Sequence, residues 1–142
     1  MLSKVVDEVV KNRCAGNLPL PSLHKLQEGE VSVDKEKVAN VLYHIISNAQ
    51  QATDDSGTID IVLTRNAQHN QQLVLIEDTG IGMDADFIEN RLFKPFDTTK
   101  GNAGMGIGAY DAKTYMESIG GKLTVQSVPG KGSCFTLAFP LV

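Results

Sequence analysis

A chain of 142 residues, 42% hydrophobic and 21% charged, has the length and composition of one soluble globular domain with a sizeable core. Its net charge of −4, without a Lys/Arg cluster or a basic amphipathic stretch, argues against nucleic acid and against direct membrane contact. No apolar run reaches transmembrane length, the N-terminus is not a signal peptide, and Cys14 and Cys134 have no metal-ligand spacing and read as reduced thiols rather than a disulfide.

In chain order, residues 2–13 read as a helix with Leu2, Val5, Val6, Val9 and Val10 on one face. "GNLPLPSLHKL" breaks that period with Gly16, Pro19 and Pro21 and reads as a loop or an edge strand. Asp34 has the character of a helix N-cap. Behind it Val38, Val41, Leu42, Ile45, Ile46 and Ala49 recur at helical spacing, which predicts a helix with one buried face running to about Ala52. "TDDSG" stops it. Strands over Thr58–Arg65 and Gln72–Asp78 follow, with the polar "NAQHNQ" between them as a hairpin loop. A short helix is expected over Ala85–Glu89, and residues 92–108 are glycine-rich without a clear period. A second long helix is expected from Ile107, with Ala109, Ala112, Met116 and Ile119 facing inward, ending at Gly120-Gly121. Strands Lys122–Ser127 and Ser133–Phe139, joined by "VPGKG", close the chain. Helices and antiparallel hairpins in this order predict a two-layer α/β sandwich.

Three segments carry candidate chemistry. In "EDTGIGM" Asp78 ends an apolar strand, where a carboxylate needs a partner. A backbone N–H of the following turn is one partner; an exocyclic amine, as on adenine, is the other. Gly80 and Gly82 permit close approach of backbone to a flat ligand, although D-x-G-x-G alone suits a plain turn. In "HIISNAQQA" the side chains of His44, Asn48 and Gln51 form a polar strip beside the buried helix face. The amide oxygen of Asn48 suits a hard cation; a solvated flank is the plainer reading. In "RLFKPFDTTKGNAGMGIG" Phe93 and Phe96 flank Pro95, and a glycine-rich segment then enters a helix. Backbone N–H groups at that helix start suit phosphate, with Lys100 as a point donor; a surface loop anchored by two core phenylalanines is the alternative.

In order and spacing these segments resemble the ATP-binding catalytic domain of bacterial sensor histidine kinases, in the superfamily shared with gyrase, Hsp90 and MutL. "HIISNAQQA" is similar to the N box, "DTGIGM" to the G1 box, "LFKPFDTTK" to the F box and "GNAGMGIG" to the G2 box. The likeness runs from about Ser32 to Pro140 and includes the closing "GGKLTVQSVPGKGSCFTLAFP". Within the family, "FDTTKGNAGMGIGAYDAK" most resembles the kinase associated with exopolysaccharide and PEP-CTERM protein sorting.

The resemblance implies an α+β fold of Bergerat type, a mixed sheet with helices on one face. Residues 1–142 would form a single ATP-binding catalytic domain, with 1–31 as N-terminal helix and lead-in and 32–140 as the core with its four boxes. ATP and Mg²⁺ are the implied ligands. Asp78 would accept from the adenine amino group, Asn48 would ligate Mg²⁺ at the phosphates, and Gly80, Gly82 and Met83 would shape the adenine pocket. Gly104, Gly106 and Gly108 would let a lid close over the phosphates. Gln51, Phe93, Phe96, Thr99, Lys100, Met105 and Ile107 complete the implied binding set, and Thr136 would support Asp78 through its hydroxyl.

Asn48, Lys100 and His44 are the implied catalytic positions, and His44 departs from the pattern. Kinases of the family carry Asn there, and the hydrolysing relatives carry Glu as a general base. A histidine at that place can bind metal or steady a phosphate or water, or it can be a surface residue without a role. None of His24, His44 and His69 has the setting of a phosphoacceptor. The implied reaction is therefore transfer of the γ-phosphate to a histidine on the dimerisation domain of a longer parent kinase, with a response regulator as indirect partner. The implied setting is cytoplasmic, the inner membrane being the place where such a parent would be anchored. Two other readings stand beside it: a free-standing ATPase or serine kinase of the same superfamily, and a non-catalytic nucleotide-binding module.

Overall fold

The strands alternate as their sequences require. In β2 (Ile59–Asn66) the residues Ile59, Ile61 and Leu63 are buried, in β3 (Gln71–Asp78) Val74 and Ile76, and in β5 (Gly132–Pro140) Phe135, Leu137 and Phe139. Register puts them on one face, with Ile61 opposite Ile76 and Ile76 opposite Phe135. With β1 (Ser22–Lys25) and β4 (Lys122–Val128) they form one five-stranded sheet in the order β1-β2-β3-β5-β4. β1 is parallel to β2 and the remaining pairs are antiparallel, so the sheet is mixed. The structure, a computed structural model, describes residues 2–93 and 103–142, with backbone alone for 103–108.

Helices α1 (Leu2–Arg13), α2 (Lys35–Ala52) and α4 (Ala103–Ser118) cover the apolar face, with α2 packed against both of the others. α2 presents the predicted stripe: Val38, Val41, Leu42, Ile45, Ile46 and Ala49 are all buried. Each large aliphatic side chain so buried contributes about 1.5–3 kcal/mol of hydrophobic stabilisation. Asp34 caps this helix, its carboxylate accepting from the backbone N–H of Glu36 at 3.1 Å and of Lys37 at 3.2 Å. α4 begins at Ala103 rather than at the expected Ile107. Glycines at 104, 106 and 108 are poor helix formers and hid this start; packing of α4 on α2 carries the helix instead. The short helix α3 (Ala85–Phe87) is capped by Asp84 and runs on as a π-helical turn, Ile88–Leu92.

The segment before α2 resolves into both of its predicted alternatives, a loop through residues 16–21 and the edge strand β1. Two buried glutamines fasten it. The Gln50 amide nitrogen reaches the carbonyls of Cys14, Asn17 and Pro19 at 2.9, 3.1 and 3.3 Å. Gln72 occupies a fully buried sheet position, donates to the carbonyls of Gln27 (3.0 Å) and Thr64 (2.7 Å), and accepts from Gly29 N–H (2.7 Å). Such a group is tolerated in a core only when satisfied in this way. Both cysteines are free thiols, Cys14 in the core and Cys134 half-buried. Among the described residues no helix is long and apolar enough to cross a membrane.

Candidate functional site

Asp78 closes β3 with its side chain on the helix-covered face, where the residue is 8% exposed. Two backbone donors hold one of its oxygens. Gly80 N–H donates to Oδ1 at 2.9 Å, and Ser133 N–H donates to the same atom at 3.2 Å. Oδ2 makes no hydrogen bond among the described residues. A carboxylate offers about four acceptor positions, so the turn and a ligand need not compete: one oxygen anchors the loop and the other can take an amine. Burial pushes the Asp78 carboxyl above its ordinary range, and the two backbone N–H groups act against that shift.

The glycines after Asp78 have a role that the sequence reading did not give them. A Cβ on Gly80 would run into the carbonyl of Ala52, and one on Gly82, whose φ is +71°, into the carbonyl of Val128. Their close approach is thus first to the protein's own backbone. The loop is wedged between the end of α2 and the β4–β5 turn. Ile81 N–H donates to Ala52 C=O at 3.0 Å, and Gly130 N–H donates to Ile81 C=O at 2.7 Å. Half-buried Met83 donates its N–H to Ser127 Oγ at 2.7 Å.

Thr136 does not support Asp78. It pairs with Leu75, whereas Asp78 pairs with Ser133, and strand alternation places Thr136 on the opposite face of the sheet. The β5 residue that holds Asp78 is Ser133, through its backbone N–H; it is 9% exposed, and its hydroxyl lies 2.8 Å from Ser127 Oγ. Neither serine was a sequence candidate. The signal was available: inward Phe135, Leu137 and Phe139, counted back by twos, reach Ser133.

On α2 the expected polar strip divides. Asn48 is half-buried, and its side chain has no hydrogen-bond partner among the described residues. Gln51 is exposed and donates to Ser47 Oγ of its own helix at 3.4 Å. His44 lies one turn before Asn48, in a groove of ≈ 560 Å³ between α2 and α4 that Lys37, Asp111 and Tyr115 also line. Burial and the nearby Arg13 guanidinium hold the His44 imidazole below its ordinary range, with Asp111 acting the other way, so it is neutral at neutral pH. Arg13 itself sits 4.1 Å from the Tyr43 ring centre and donates to Asn40 Oδ1 at 2.9 Å.

Phe93 is half-buried against the core, with Lys113 Nζ 5.0 Å from its ring centre. Phe96, Thr99 and Lys100 lie outside the described residues, as do the side chains of Met105 and Ile107. Gly104, Gly106 and Gly108 fall within the first turns of α4. Among the described residues no group of three or more His, Cys, Asp or Glu side chains is placed to hold a metal ion. A cation here would need its other ligands from a bound anion and water, and the unpartnered Asn48 amide fits that arrangement.

Residues 33–142 match the profile of the histidine kinase-, DNA gyrase B-, and HSP90-like ATPase family. Among curated relatives, the signal transduction histidine-protein kinase AtoS of Escherichia coli (strain K12) is 36% identical over 111 residues, covering 78% of this chain and 18% of AtoS. Sensor histidine kinase RppB of Synechocystis is 31% identical, covering 99% of this chain and 32% of RppB. This chain therefore spans a third or less of either relative's length. Among solved structures, the catalytic domain of histidine kinase ThkA superposes with a TM-score of 0.82 at 23% identity, covering 99% of this chain and 92% of that one. Full-length ShkA in complex with AMPPNP superposes with a TM-score of 0.80 at 18% identity, covering 100% of this chain and 30% of that one. The chain belongs to the histidine kinase-, DNA gyrase B- and HSP90-like ATPase family, as an ATP-binding catalytic domain of the histidine-kinase kind.

Proposed function

We propose that this chain binds Mg-ATP and presents its γ-phosphate to a histidine on a dimerisation domain carried elsewhere in a longer sensor kinase, which relays it to a response regulator. The observation that carries this reading is Asp78: a buried carboxylate with one oxygen pinned by Gly80 and Ser133 and the other unpartnered among the described residues. An adenine amino group supplies the donor that Oδ2 lacks. Asn48, one turn from the helix end that touches Ile81, holds Mg²⁺ through its amide oxygen. When bound, Mg²⁺ neutralises charge on the phosphates. Full-length ShkA, a structural neighbour, is known in complex with AMPPNP, which supports nucleotide binding by this chain.

Gly80, Gly82 and Met83 wall the base, and Phe93 anchors the start of the F-box segment on the core. Phosphoryl transfer needs little covalent help from the protein; it needs an aligned nucleophile and compensation of charge. His24 faces Asp60 on the outer strands at 2.9 Å, His69 lies in the exposed β2–β3 hairpin, and His44 lies in the α2–α4 groove. None of them is placed as the acceptor. Position 44 also lacks the carboxylate that would activate water, which favours transfer over hydrolysis. In this reading residues 1–142 act as one domain, on the cytoplasmic side, with 1–31 as its lead-in. Membership of the PEP-CTERM-associated kind is the narrower proposal and rests on residues 96–113 alone.

The test is incubation with γ-labelled ATP and Mg²⁺. The chain alone should bind nucleotide and take up no stoichiometric label. Adding the dimerisation domain of the longer kinase should produce a labelled, acid-labile bond on that domain. Stoichiometric acid-labile label on the chain alone would overturn the assignment of the acceptor to another domain.

A further inference from the structure

We infer that, in the nucleotide site proposed above, Ser127 is a positioning residue that sets base selectivity by fixing the direction of the Ser133 hydroxyl. Ser127 Oγ meets three partners: Met83 N–H at 2.7 Å, Gly132 C=O at 2.9 Å and Ser133 Oγ at 2.8 Å. A hydroxyl has one proton and two lone pairs. Met83 N–H can only donate and takes one lone pair. Gly132 C=O can only accept and takes the proton. The single lone pair that is left obliges Ser133 to be the donor. Any other assignment leaves one of the three contacts without a proton or with two.

The Ser133 proton is thereby committed to Ser127, and Ser133 Oγ has only lone pairs to offer elsewhere. Ser133 stands directly opposite Asp78 in the sheet, on the same face, and its own N–H holds Asp78 Oδ1. An ionised Asp78 is likewise an acceptor only. This corner of the site therefore presents acceptors alone. A base edge that brings hydrogen, such as the 6-amino group of adenine, is welcomed. An edge that brings a 6-carbonyl faces lone pairs with no donor, which costs affinity as an unpaired polar contact does. Removing Ser127 frees the Ser133 hydroxyl to turn and donate to that carbonyl.

The experiment is calorimetric titration of the full chain with ATP and with inosine 5′-triphosphate, which carries a carbonyl in place of the amino group. Wild type should prefer ATP by about tenfold or more. Ser127→Ala should narrow that ratio by roughly three- to tenfold. Ser127→Thr, which keeps a hydroxyl, should hold the wild-type ratio. The double variant Ser127→Ala/Ser133→Ala should restore it, because no hydroxyl remains to turn; a merely structural role for Ser127 predicts no such rescue. Where Ser127→Ala does not fold, Ser127→Cys keeps the volume with a weak acceptor and should narrow the ratio in the same sense. An unmoved ratio in a folded Ser127 variant, or a ratio still narrow in the double variant, overturns the role of Ser127. A wild-type chain that binds neither triphosphate overturns the nucleotide site itself, and this selectivity with it.

Discussion

Replacing Asp78 by Asn separates binding from stability, because one oxygen of that carboxylate is held by the protein and the other is left for the proposed ligand. Asn keeps an acceptor at the Oδ1 position, so Gly80 and Ser133 N–H, at 2.9 and 3.2 Å, stay satisfied. At the Oδ2 position it substitutes an NH₂, which confronts the adenine amino group with a second donor. A hydrogen bond to a charged group contributes about 1.5–3 kcal/mol, so ATP affinity should fall roughly ten- to a hundredfold. The unliganded fold responds in the other direction. Burial raises the folded pKa of Asp78 above its unfolded value. The protonated, neutral side chain is therefore the one that folding favours. That contribution is fully present below the unfolded carboxyl pKa of about 3.9 and is lost as pH rises through the higher folded value. At neutral pH the wild type holds a buried charge that the variant lacks. Asp78→Asn should then melt no lower than wild type at pH 7, and its advantage should shrink as the pH falls toward the ordinary carboxyl range. Calorimetry with ATP and melting curves at two pH values measure both effects. Unchanged ATP affinity in a folded variant would remove Asp78 from the site, and a lower melting temperature at pH 7 would refute the electrostatic reasoning.

Two further predictions concern α2. Asn48→Ala should weaken the enhancement of ATP binding by Mg²⁺ while leaving adenosine binding nearly intact, since the half-buried amide has no partner to lose among the described residues; equal Mg²⁺ enhancement in both proteins, read by titration with and without the ion, would place the ligand elsewhere. His44→Asn should flatten the acid limb of the stability curve. The folded pKa of His44 is depressed by burial and Arg13, so its stability contribution is present above the unfolded histidine pKa of about 6.5 and is lost as pH falls through the lower folded value. Denaturant unfolding between pH 7 and pH 5 reads this slope, and an identical slope in the variant would show that the imidazole is not held neutral in the α2–α4 groove.

Most of the fold was legible because burial here follows period. The α2 stripe from Val38 to Ala49 and the alternating residues of β2, β3 and β5 are buried as their spacing requires. The parts that were not legible are those where tertiary contact overrides local preference. Gln50 and Gln72 are polar residues at core positions, and backbone partners make them acceptable there: the carbonyls of Cys14, Asn17 and Pro19 for Gln50, and Thr64, Gln27 and Gly29 for Gln72. Apart from Thr64, across the β2–β3 hairpin from Gln72, these partners lie far from the glutamines in sequence. The early start of α4 is of the same kind: glycines at 104, 106 and 108 argue locally against a helix, and the packing against α2 that outweighs them is distant in the chain.

The site shows the same division at finer scale. Asp78 could be singled out because a carboxylate closing an apolar strand is anomalous by itself, whatever lies across from it. Its partner on β5 could not be chosen by residue type. Ser133 and Thr136 are both short hydroxyl residues on β5, and a resemblance between closing hairpins does not decide between them. Parity does: an odd offset along a strand reverses the face, so only one of the two can share a face with the phenylalanines and with Asp78. That correction alters the chemistry as well as the name. Thr136 on the uncovered face would have no link to the proposed base pocket, whereas Ser133 joins Asp78, through its N–H, to Ser127 and Met83, through its hydroxyl. The strand that presents the carboxylate, the loop that follows it and the closing hairpin are thus tied through the Ser133 N–H and the Ser127–Ser133 pair of hydroxyls. The geometry of the proposed base pocket accordingly depends on β4, a strand that contributes no residue to any of the four sequence boxes.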